Sequence, residues 1–387
     1  MEDQNLEKTI VYVGGFELPD KNAAAHRVLN NGKILRDLGY KVVFIGISHG
    51  GEGINYMTYE GFSCWSIPYP VETIQWLRYL TSIKEVREIV KNINGLEGMI
   101  FYNYQSVALA KGLAFCEKNR IWSIVDVSEW YLASKKNPIF YILKQLDTSV
   151  RMRILNKRAG GIIAISTFLY DYYEKSRVKR IVQIPPLVDK NETKWKMETV
   201  ETAKDYIKMI YAGSTSDLKD NLLLVLESLV GYKDKIRMTI VGVEKASVMP
   251  MIVDKAVQRY IDEYVEFCGK IPHIDCLKRI KESDFQIFIR PDNLVTRAGF
   301  PTKLGESFAC GIPVITNCSS NISDYMVEGK NGFIVKEISV EGIQEVLEKI
   351  AVLKKDEIKD MKHYCEESTK FDYHLYYDEM KKLIEMF

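Results

Sequence analysis

Short apolar runs alternate along this chain with longer helical patterns, and this alternation constrains the fold more than any other feature of the sequence. The first half predicts helices at 23–38 and 106–119 and strands at 10–13, 41–47, 99–102, 122–127 and 161–165. Such alternation is typical of a parallel sheet whose faces are covered by helices. The sequence therefore predicts an α/β fold.

A break at Ile184, Pro185 and Pro186, followed by a polar stretch at 189–205, divides the pattern in two. The second series predicts helices at 221–230 and 302–310 and strands at 208–212, 237–241, 265–268, 286–289 and 313–316. With 387 residues, the chain exceeds the size at which one hydrophobic core usually stops growing. We expect domains at 1–187 and 188–370, a final helix at 371–387 that crosses back to the first, and a ligand cleft at the strand carboxyl ends.

Composition excludes several classes of protein. The 53 Lys and Arg residues balance 52 Asp and Glu residues, so no global field favours nucleic acid. The seven cysteines are odd in number and form no CxxC motif, which predicts reduced thiols and no metal site. The N-terminus lacks an apolar signal core and no apolar run is long enough to cross a bilayer, so we expect a cytoplasmic protein. The oligomeric state stays open.

The densest candidate site follows the predicted strand 286–289. Arg290 ends this strand, a loop carries Gly299, and a helix begins near Thr302. Free amides and the positive dipole of a helix N-terminus suit a diphosphate, to which Arg290 and Lys303 would add charge. Glu306, one turn further, could accept hydrogen bonds from ribose hydroxyls. The alternative is that Thr302 only caps the helix and Glu306 supports that cap.

Two other glycine turns join strands to helices. One contains Gly213 and Ser214 and reaches Lys219, and the other contains Gly14 and Gly15. His26 and Arg27 follow the second turn and are candidates for the acceptor side. Each turn alone is a weak signal, because many strand-to-helix turns contain glycine.

The run "GFPTKLGESFACGIPVITN" resembles the donor-binding segment of the retaining glycosyltransferases of family 4. Further matching segments, in the family's order, are "VGG", "IPPLVD", "YAGS", "VEFCGKIP" and "KFDYHLYYDEM". The resemblance implies the GT-B architecture of two facing Rossmann-like domains with an interdomain cleft. It also implies a hexosyl or related transferase that moves a sugar from a nucleotide diphosphate donor, such as a UDP-sugar, to a glycan, lipid-linked or protein acceptor. Cell-surface polysaccharide or glycoconjugate synthesis is the expected setting, and no metal or other cofactor is expected.

The resemblance also assigns residues to the donor. The segment Gly299, Phe300, Pro301 and Thr302 would supply backbone amides to the donor phosphates. Lys219 would supply a cation beside Gly213 and Ser214, and Glu306 would hold the ribose. The segment from Phe267 to Ile271 would bracket the base, and Gly14 and Gly15 would approach the donor from the first domain.

Three positions depart from the family pattern. Ala298 stands where a first glutamate often lies, so the sugar contact would come from Asn293 or the backbone of Gly299 and Phe300. Ser214 stands where arginine is common, for which Arg290 would compensate. The usual histidine of the first domain is replaced around Ser128, where Asp126 and Glu129 either face the acceptor as catalytic groups or cap the strand end.

Two alternative functions stay open. A nucleotide-sugar epimerase would use the same fold with acid and base groups such as His26, Asp126 and Glu129. A non-catalytic glycosyltransferase-like subunit would explain Ala298 and Ser128. An NAD-dependent oxidoreductase is disfavoured, because no GxGxxG motif follows any predicted strand.

The tract 134–158 combines basic and aromatic residues, among them Lys135, Lys136, Arg151 and Arg153. Such a stretch could rest peripherally on the anionic inner face of a membrane, with each basic residue near the surface contributing about 1 kcal/mol. The equally weighted alternative is a solvated helix face packed on the sheet.

Overall fold

The computed structural model describes residues 8–19, 21–131, 138–176, 178, 180–197, 205–213 and 220–387, and only the backbone of Ile139. They form two compact units. Unit 1 comprises Met1–Leu187 and Asp372–Phe387, and unit 2 comprises Val188–Phe371. Within these described ranges, no helix is long and apolar enough to span a bilayer.

Unit 1 is an α/β unit with eight strands. Its strands are β1 (Thr9–Gly14), β2 (Lys41–Ser48), β3 (Asn55–Tyr59), β4 (Phe62–Pro68), β5 (Leu96–Tyr102), β6 (Trp122–Val127), β7 (Gly161–Ala164) and β8 (Ile181–Gln183). Its helices are α1 (Ala23–Asp37), α2 (Thr73–Thr81), α3 (Lys84–Val90), α4 (Ser106–Asn119), α5 (Pro138–Val150) and α6 (Thr167–Glu174), with a π-helical turn at Arg151–Leu155.

The sheet of unit 1 has the order β3-β4-β2-β1-β5-β6-β7-β8. Every neighbouring pair is parallel except β3 and β4, which are antiparallel. Strand order reverses between β1 and β5, so the chain leaves β1 toward one edge and returns to build the other. At such a switch point the carboxyl ends of neighbouring strands diverge and leave room for a ligand.

The end of the chain packs on the unit 1 sheet. A 3₁₀ turn at Tyr373–Tyr376 leads into the last helix, Tyr377–Ile384. Met380 and Leu383 are fully buried there, and the Leu383 side chain lies against Gly161 at the start of β7. Phe387 stacks on Trp122 with ring centroids 5.1 Å apart. The C-terminal segment therefore completes the core of unit 1.

A buried ionic cluster ties α1 to the sheet of unit 1. Asp126 on β6 has no exposed surface, and Arg27 on α1 is 2% exposed. Arg27 donates to the Asp126 carboxylate at 2.7–3.0 Å and to the carbonyl oxygens of Ile184 and Pro185. Tyr12 donates a short hydrogen bond to the same carboxylate. Every group in the cluster is paired, which is what allows charge to be buried.

Unit 2 is an α/β unit with six strands. Its strands are β9 (Ile207–Ala212), β10 (Ile236–Val241), β11 (Val265–Gly269), β12 (Phe285–Phe288), β13 (Val314–Asn317) and β14 (Gly332–Val335). Its helices are α7 (Leu222–Leu229), α8 (Lys245–Val248), α9 (Lys255–Tyr264), α10 (His273–Lys281), α11 (Leu294–Ala298), α12 (Thr302–Ala309), α13 (Val340–Ile350) and α14 (Lys355–Glu367). The last helix of unit 1, Tyr377–Ile384, is then α15.

The sheet of unit 2 has the order β11-β10-β9-β12-β13-β14, and all its pairs are parallel. This is the Rossmann order, in which two halves wind outward from the centre. The switch point lies between β9 and β12. The topology therefore predicts a ligand site at the residues that follow these two strands.

We predict that Asp126→Asn destabilises unit 1 by about 3–5 kcal/mol, because it leaves the buried Arg27 guanidinium without its counter-charge. Hydrogen exchange of the β1 and β6 amides would measure this loss. Asp37→Asn, at an exposed position at the end of α1, is the control and should change stability by at most about 0.5 kcal/mol. Equal protection in both variants would contradict the structural role of the cluster.

Candidate functional site

Three glycines pack the carboxyl edge of unit 2 closely. Gly213 follows β9, and its amide donates to the Val241 carbonyl at 3.0 Å. Gly242 has φ +89°, and a Cβ there would lie 2.2 Å from the Gly213 carbonyl oxygen. Gly269, with φ +58°, accepts from the Gly242 amide at 2.7 Å. No other residue fits at Gly242 without moving the backbone, so this edge presents main chain rather than side chains.

The two residues assigned to the base flank this edge. Phe267 lies on β11 and Ile271 lies in the connection from β11 to α10, and both are half-buried. The predicted phosphate contacts Ser214 and Lys219 lie outside the described residues.

Lys303 bonds an acidic side chain of its own unit. Its Nζ lies 2.6 Å from Asp220 Oδ2, and the two side chains are 17% and 8% exposed. Tyr211 donates to the same oxygen at 2.8 Å, and the ammonium lies over the Tyr211 ring. Burial lowers the pKa of Lys303, and Asp220 opposes that shift. Lys303 thus has a counter-charge within unit 2, and its assignment as a catalytic cation for the phosphates stays a prediction.

The position of Lys303 also explains why residue 213 is a glycine. A Cβ at Gly213 would lie 2.8 Å from Lys303 Nζ and 2.9 Å from the Tyr211 hydroxyl. Gly213 and Asp220 are the two described residues that border the turn 214–219. Lys303 thus contacts both ends of the turn that the sequence singled out.

Arg290 holds the loop that precedes α12. It is 5% exposed, and its amide and carbonyl exchange hydrogen bonds of 2.7 and 2.9 Å with the Asn317 side chain. Its guanidinium donates to Ser319 Oγ at 3.1 Å and lies 3.5 Å from the Gly299 carbonyl oxygen. The charge of Arg290 therefore lies directly behind the Gly299 loop.

Local capping and packing shape the loop itself. Asn293 caps α11 by accepting from the Thr296 amide at 3.0 Å, so this oxygen serves the fold. Gly299 ends α11 through its bond to the Val295 carbonyl. Phe300 is buried against Tyr325, with ring centroids 5.2 Å apart.

The N-terminus of α12 has no side-chain cap. Its N-cap position is Pro301, which cannot cap with a side chain, and Thr302 is the first helical residue. The alternative in which Thr302 caps the helix is therefore wrong. A helix start without a side-chain cap keeps its positive dipole and amides directed at the space beyond it, as an anion site requires.

Glu306 lies one turn inside α12 and is 20% exposed. Its Oε1 lies 3.4 Å from Nε2 of His273, the first residue of α10. Sequence reasoning missed His273. The signal was its place directly after the segment assigned to the base, at the start of the next helix.

In unit 1, the carboxyl edge of β1 presents glycine. A Cβ at Gly14 would lie 2.6 Å from the Tyr102 carbonyl oxygen, so close strand packing requires this glycine. Gly15 is exposed, with the Tyr79 hydroxyl 3.4 Å from the position of its missing Cβ.

The acidic and basic candidate residues of unit 1 differ in their burial. Asp126 and Arg27 pair with each other in the core, so the expectation that they face an acceptor is corrected: burial leaves neither side chain a surface for a ligand. His26 is half-buried on α1. Glu129 is half-buried and hydrogen-bonds Tyr131, whose pKa is raised by burial and by the nearby Glu129 charge.

We predict that Lys303→Met destabilises unit 2 by about 3–5 kcal/mol, because Asp220 is left buried without its counter-charge. Urea unfolding followed by hydrogen exchange of the β9 amides would measure the change. Lys349→Met removes an exposed ion pair with Glu328 and should cost at most about 1 kcal/mol. A cost at Lys303 no larger than at Lys349 would show that the buried pair does not anchor the turn.

Sequence comparison finds a family match for part of the chain. Residues 193–370 match the family model "Glycosyl transferases group 1". This segment lies within unit 2 and contains β9 to β14. No curated protein sequence matches the chain.

Structure comparison finds similar folds over nearly the whole chain. The catalytic domain of starch synthase IV from Arabidopsis thaliana, bound to ADP and acarbose, has a TM-score of 0.71 and 10% identity, covering 98% of this chain and 99% of that chain. HepE from Anabaena, in complex with UDP-glucose, has a TM-score of 0.68 and 13% identity, covering 98% and 100%. Sucrose-phosphate synthase from Thermosynechococcus elongatus has a TM-score of 0.67 and 13% identity, covering 98% and 99%.

These likenesses confirm the predicted fold class, that of the GT-B glycosyltransferases. The match at 193–370 supports a glycosyltransferase of group 1. The narrower assignment to family 4 stays a prediction.

Proposed function

We propose that this chain is a retaining glycosyltransferase that transfers a sugar from a nucleotide diphosphate donor to a glycan, lipid-linked or protein acceptor. One observation carries the proposal. In the segment that matches the glycosyltransferase model, α12 begins without a side-chain cap at the switch point of the sheet, and Glu306 lies one turn inside it. Amides and dipole for a diphosphate thus stand one helical turn from a carboxylate suited to ribose hydroxyls.

The structural neighbours support a donor of this class. HepE holds UDP-glucose and the starch synthase domain holds ADP in their structures. We propose a uridine or guanosine diphosphate sugar for this chain. Unit 2 would bind the donor, and unit 1 would bind the acceptor.

The phosphate charge would be balanced by the protein without a metal ion. Arg290 supports the Gly299 loop from behind, and the amides at the start of α12 supply hydrogen bonds. Lys303 would act indirectly, through its ion pair with Asp220 and its close approach to Gly213. In the proposed retaining transfer, the bond from the sugar C1 to the diphosphate oxygen breaks and the nucleoside diphosphate leaves with the electron pair. The acceptor oxygen bonds to C1 on the same face, and the leaving phosphate takes the proton of the acceptor hydroxyl.

The burial of Asp126 disfavours the epimerase alternative, because it removes one of the acid and base groups which that reaction would need. The non-catalytic alternative differs from our proposal in turnover alone. A protein that binds UDP or GDP tightly but neither hydrolyses nor transfers any of a panel of nucleotide sugars would be the non-catalytic subunit.

We predict that Glu306→Gln lowers kcat/KM for the donor by at least about tenfold, which corresponds to 1.36 kcal/mol. A charge-assisted hydrogen bond from a carboxylate to a ribose hydroxyl contributes about 1.5–3 kcal/mol, and Gln keeps the shape but not the charge. Turnover and calorimetric titration with UDP and GDP in EDTA would measure both effects.

The matched control is Glu345→Gln, at an exposed position on α13, which should leave turnover and nucleotide affinity unchanged. Wild-type kinetics for Glu306→Gln would show that Glu306 is only a helix residue. Nucleotide binding that appears only with added magnesium or manganese would contradict the metal-free site.

Peripheral membrane contact is a second part of the proposal, and the structure changes its basis. Arg151 is buried and donates to the Asn103 carbonyl, so it cannot face lipid. Lys144 lies over the Tyr131 ring, and burial lowers its pKa. Arg153 and Arg158 are exposed, whereas Lys135 and Lys136 lie outside the described residues.

Beside these arginines, α5 and the π-helical turn expose apolar side chains, namely Phe140, Ile142, Leu143, Leu146, Val150 and Ile154. Apolar insertion assisted by few charges thus replaces the electrostatic contact expected from sequence.

We predict that the double variant Leu143→Ser, Leu146→Ser reduces sedimentation with phosphatidylglycerol–phosphatidylcholine vesicles by at least about tenfold, since both side chains would leave the apolar interface. Ile74→Ser with Leu77→Ser, at equally exposed apolar positions on α2, is the control and should sediment like the wild type. Unchanged sedimentation of the α5 variant would contradict membrane contact through this helix.

A further inference from the structure

A titratable pair that the proposed mechanism does not use lies at the carboxyl edge of the unit 1 sheet. His49 directly follows β2, and Glu17 lies just after β1, the neighbouring strand. The Glu17 side chain is 9% exposed, whereas the His49 side chain is 57% exposed. A buried carboxylate thus holds a solvent-facing imidazole on the edge of the sheet where open α/β units bind ligands.

The hydrogen bonds fix the tautomer of His49. Its Nδ1 lies 2.7 Å from Glu17 Oε2, and Lys21 Nζ lies 2.8 Å from the other carboxylate oxygen. Burial opposes ionisation of Glu17, but the hydrogen bonds from Lys21 and His49 outweigh it and hold the pKa of its carboxyl below the ordinary value. An ionised carboxylate can only accept, so Nδ1 carries the proton. Nε2 is the remaining ring nitrogen, and it has no hydrogen-bond partner among the residues that the structure describes.

An aromatic cluster extends from this imidazole through Tyr69. His49 packs against Tyr69 with ring centroids 4.4 Å apart, and Tyr69 meets Trp76 at 5.3 Å and Tyr79 at 5.7 Å. All three aromatic residues are half-buried. Burial raises the pKa of Tyr79 to about 12, so its hydroxyl stays neutral beside Gly15. Aromatic walls with one directed polar group are the usual composition of a small-molecule site.

We propose that His49 and Trp76 form an acceptor subsite in unit 1 that binds the sugar ring of a carbohydrate. The ring packs its C–H face on the aromatic cluster, and a sugar hydroxyl donates to His49 Nε2. Glu17 is a positioning residue, because it acts through His49. This inference rests on the proposed function, since it names the acceptor of that reaction as a saccharide.

The test uses the full-length protein with methyl glycosides of glucose, galactose and N-acetylglucosamine as probes, by saturation-transfer NMR. Wild-type protein should show transfer to at least one glycoside. His49→Ala and Trp76→Ala should each reduce that signal by about tenfold or more, and His49→Gln should keep part of it. Transfer assays on the bound glycoside should show a KM for acceptor raised about tenfold with nearly unchanged kcat. Calorimetric UDP affinity should stay the same, since neither His49 nor Trp76 is among the residues assigned to the donor.

The matched control is His363→Ala. His363 is also an exposed histidine beside a carboxylate, 3.3 Å from Glu367, but it lies on α14 of unit 2. It should leave glycoside signals and KM unchanged. Loss of signal in the control as well as in His49→Ala, an unchanged KM in both His49→Ala and Trp76→Ala, or no glycoside signal with the wild type would overturn the inference. Normal UDP binding and donor hydrolysis in any of these cases would leave the proposed function standing.

Discussion

The ion pair between Lys303 and Asp220 is the constraint on which the candidate donor site depends. Its ammonium occupies the space where any side chain at position 213 would begin, and it bonds the far end of the same turn. The Gly213 carbonyl in turn leaves no room for a Cβ at Gly242. A single buried cation on α12 therefore fixes the main chain after β9 and β10. Because charge is costly to bury, only a fully paired lysine could serve in this way.

The ion pairs Lys303–Asp220 and Arg27–Asp126 contain three residues that sequence reasoning assigned to chemistry, namely Lys303, Arg27 and Asp126. Lys303 and Asp220 are 83 positions apart, and Arg27 and Asp126 are 99 positions apart. In a parallel sheet, charged residues at strand ends and on adjoining helices gather at one edge, where they can meet each other or a ligand. A sequence gives the location of such residues but not their partners. The distinction between a paired and a ligand-binding charge therefore had to come from the structure.

The sequence predicts buried strands and helices better than exposed ones. Strands β1, β2, β5 and β6 are buried along most of their length, and the sequence predicts them within three residues at each end. No element was predicted between 47 and 99, where β3, β4, α2 and α3 lie. Strand β3 is exposed at nearly every position and α2 buries no residue, so neither shows the apolar periodicity that burial imposes. The pair of Glu17 and His49 was missed for a related reason: both lie in connections after strands, where no pattern marks them.

The positive potential at the start of α12 depends on where Arg290 and Lys303 lie. A diphosphate needs positive potential, but Asp220 cancels most of the field of Lys303 at a distance. Arg290 lies behind the Gly299 loop at 5% exposure, so its field is weakly screened and has the same sign as the helix dipole ahead of it. On the proposed function, the donor would bind to the helix start without competing for Asp220. The ion pair between Lys303 and Asp220 would then persist while the nucleotide binds and leaves, as the proposed transferase requires in order to release its nucleotide product in every cycle.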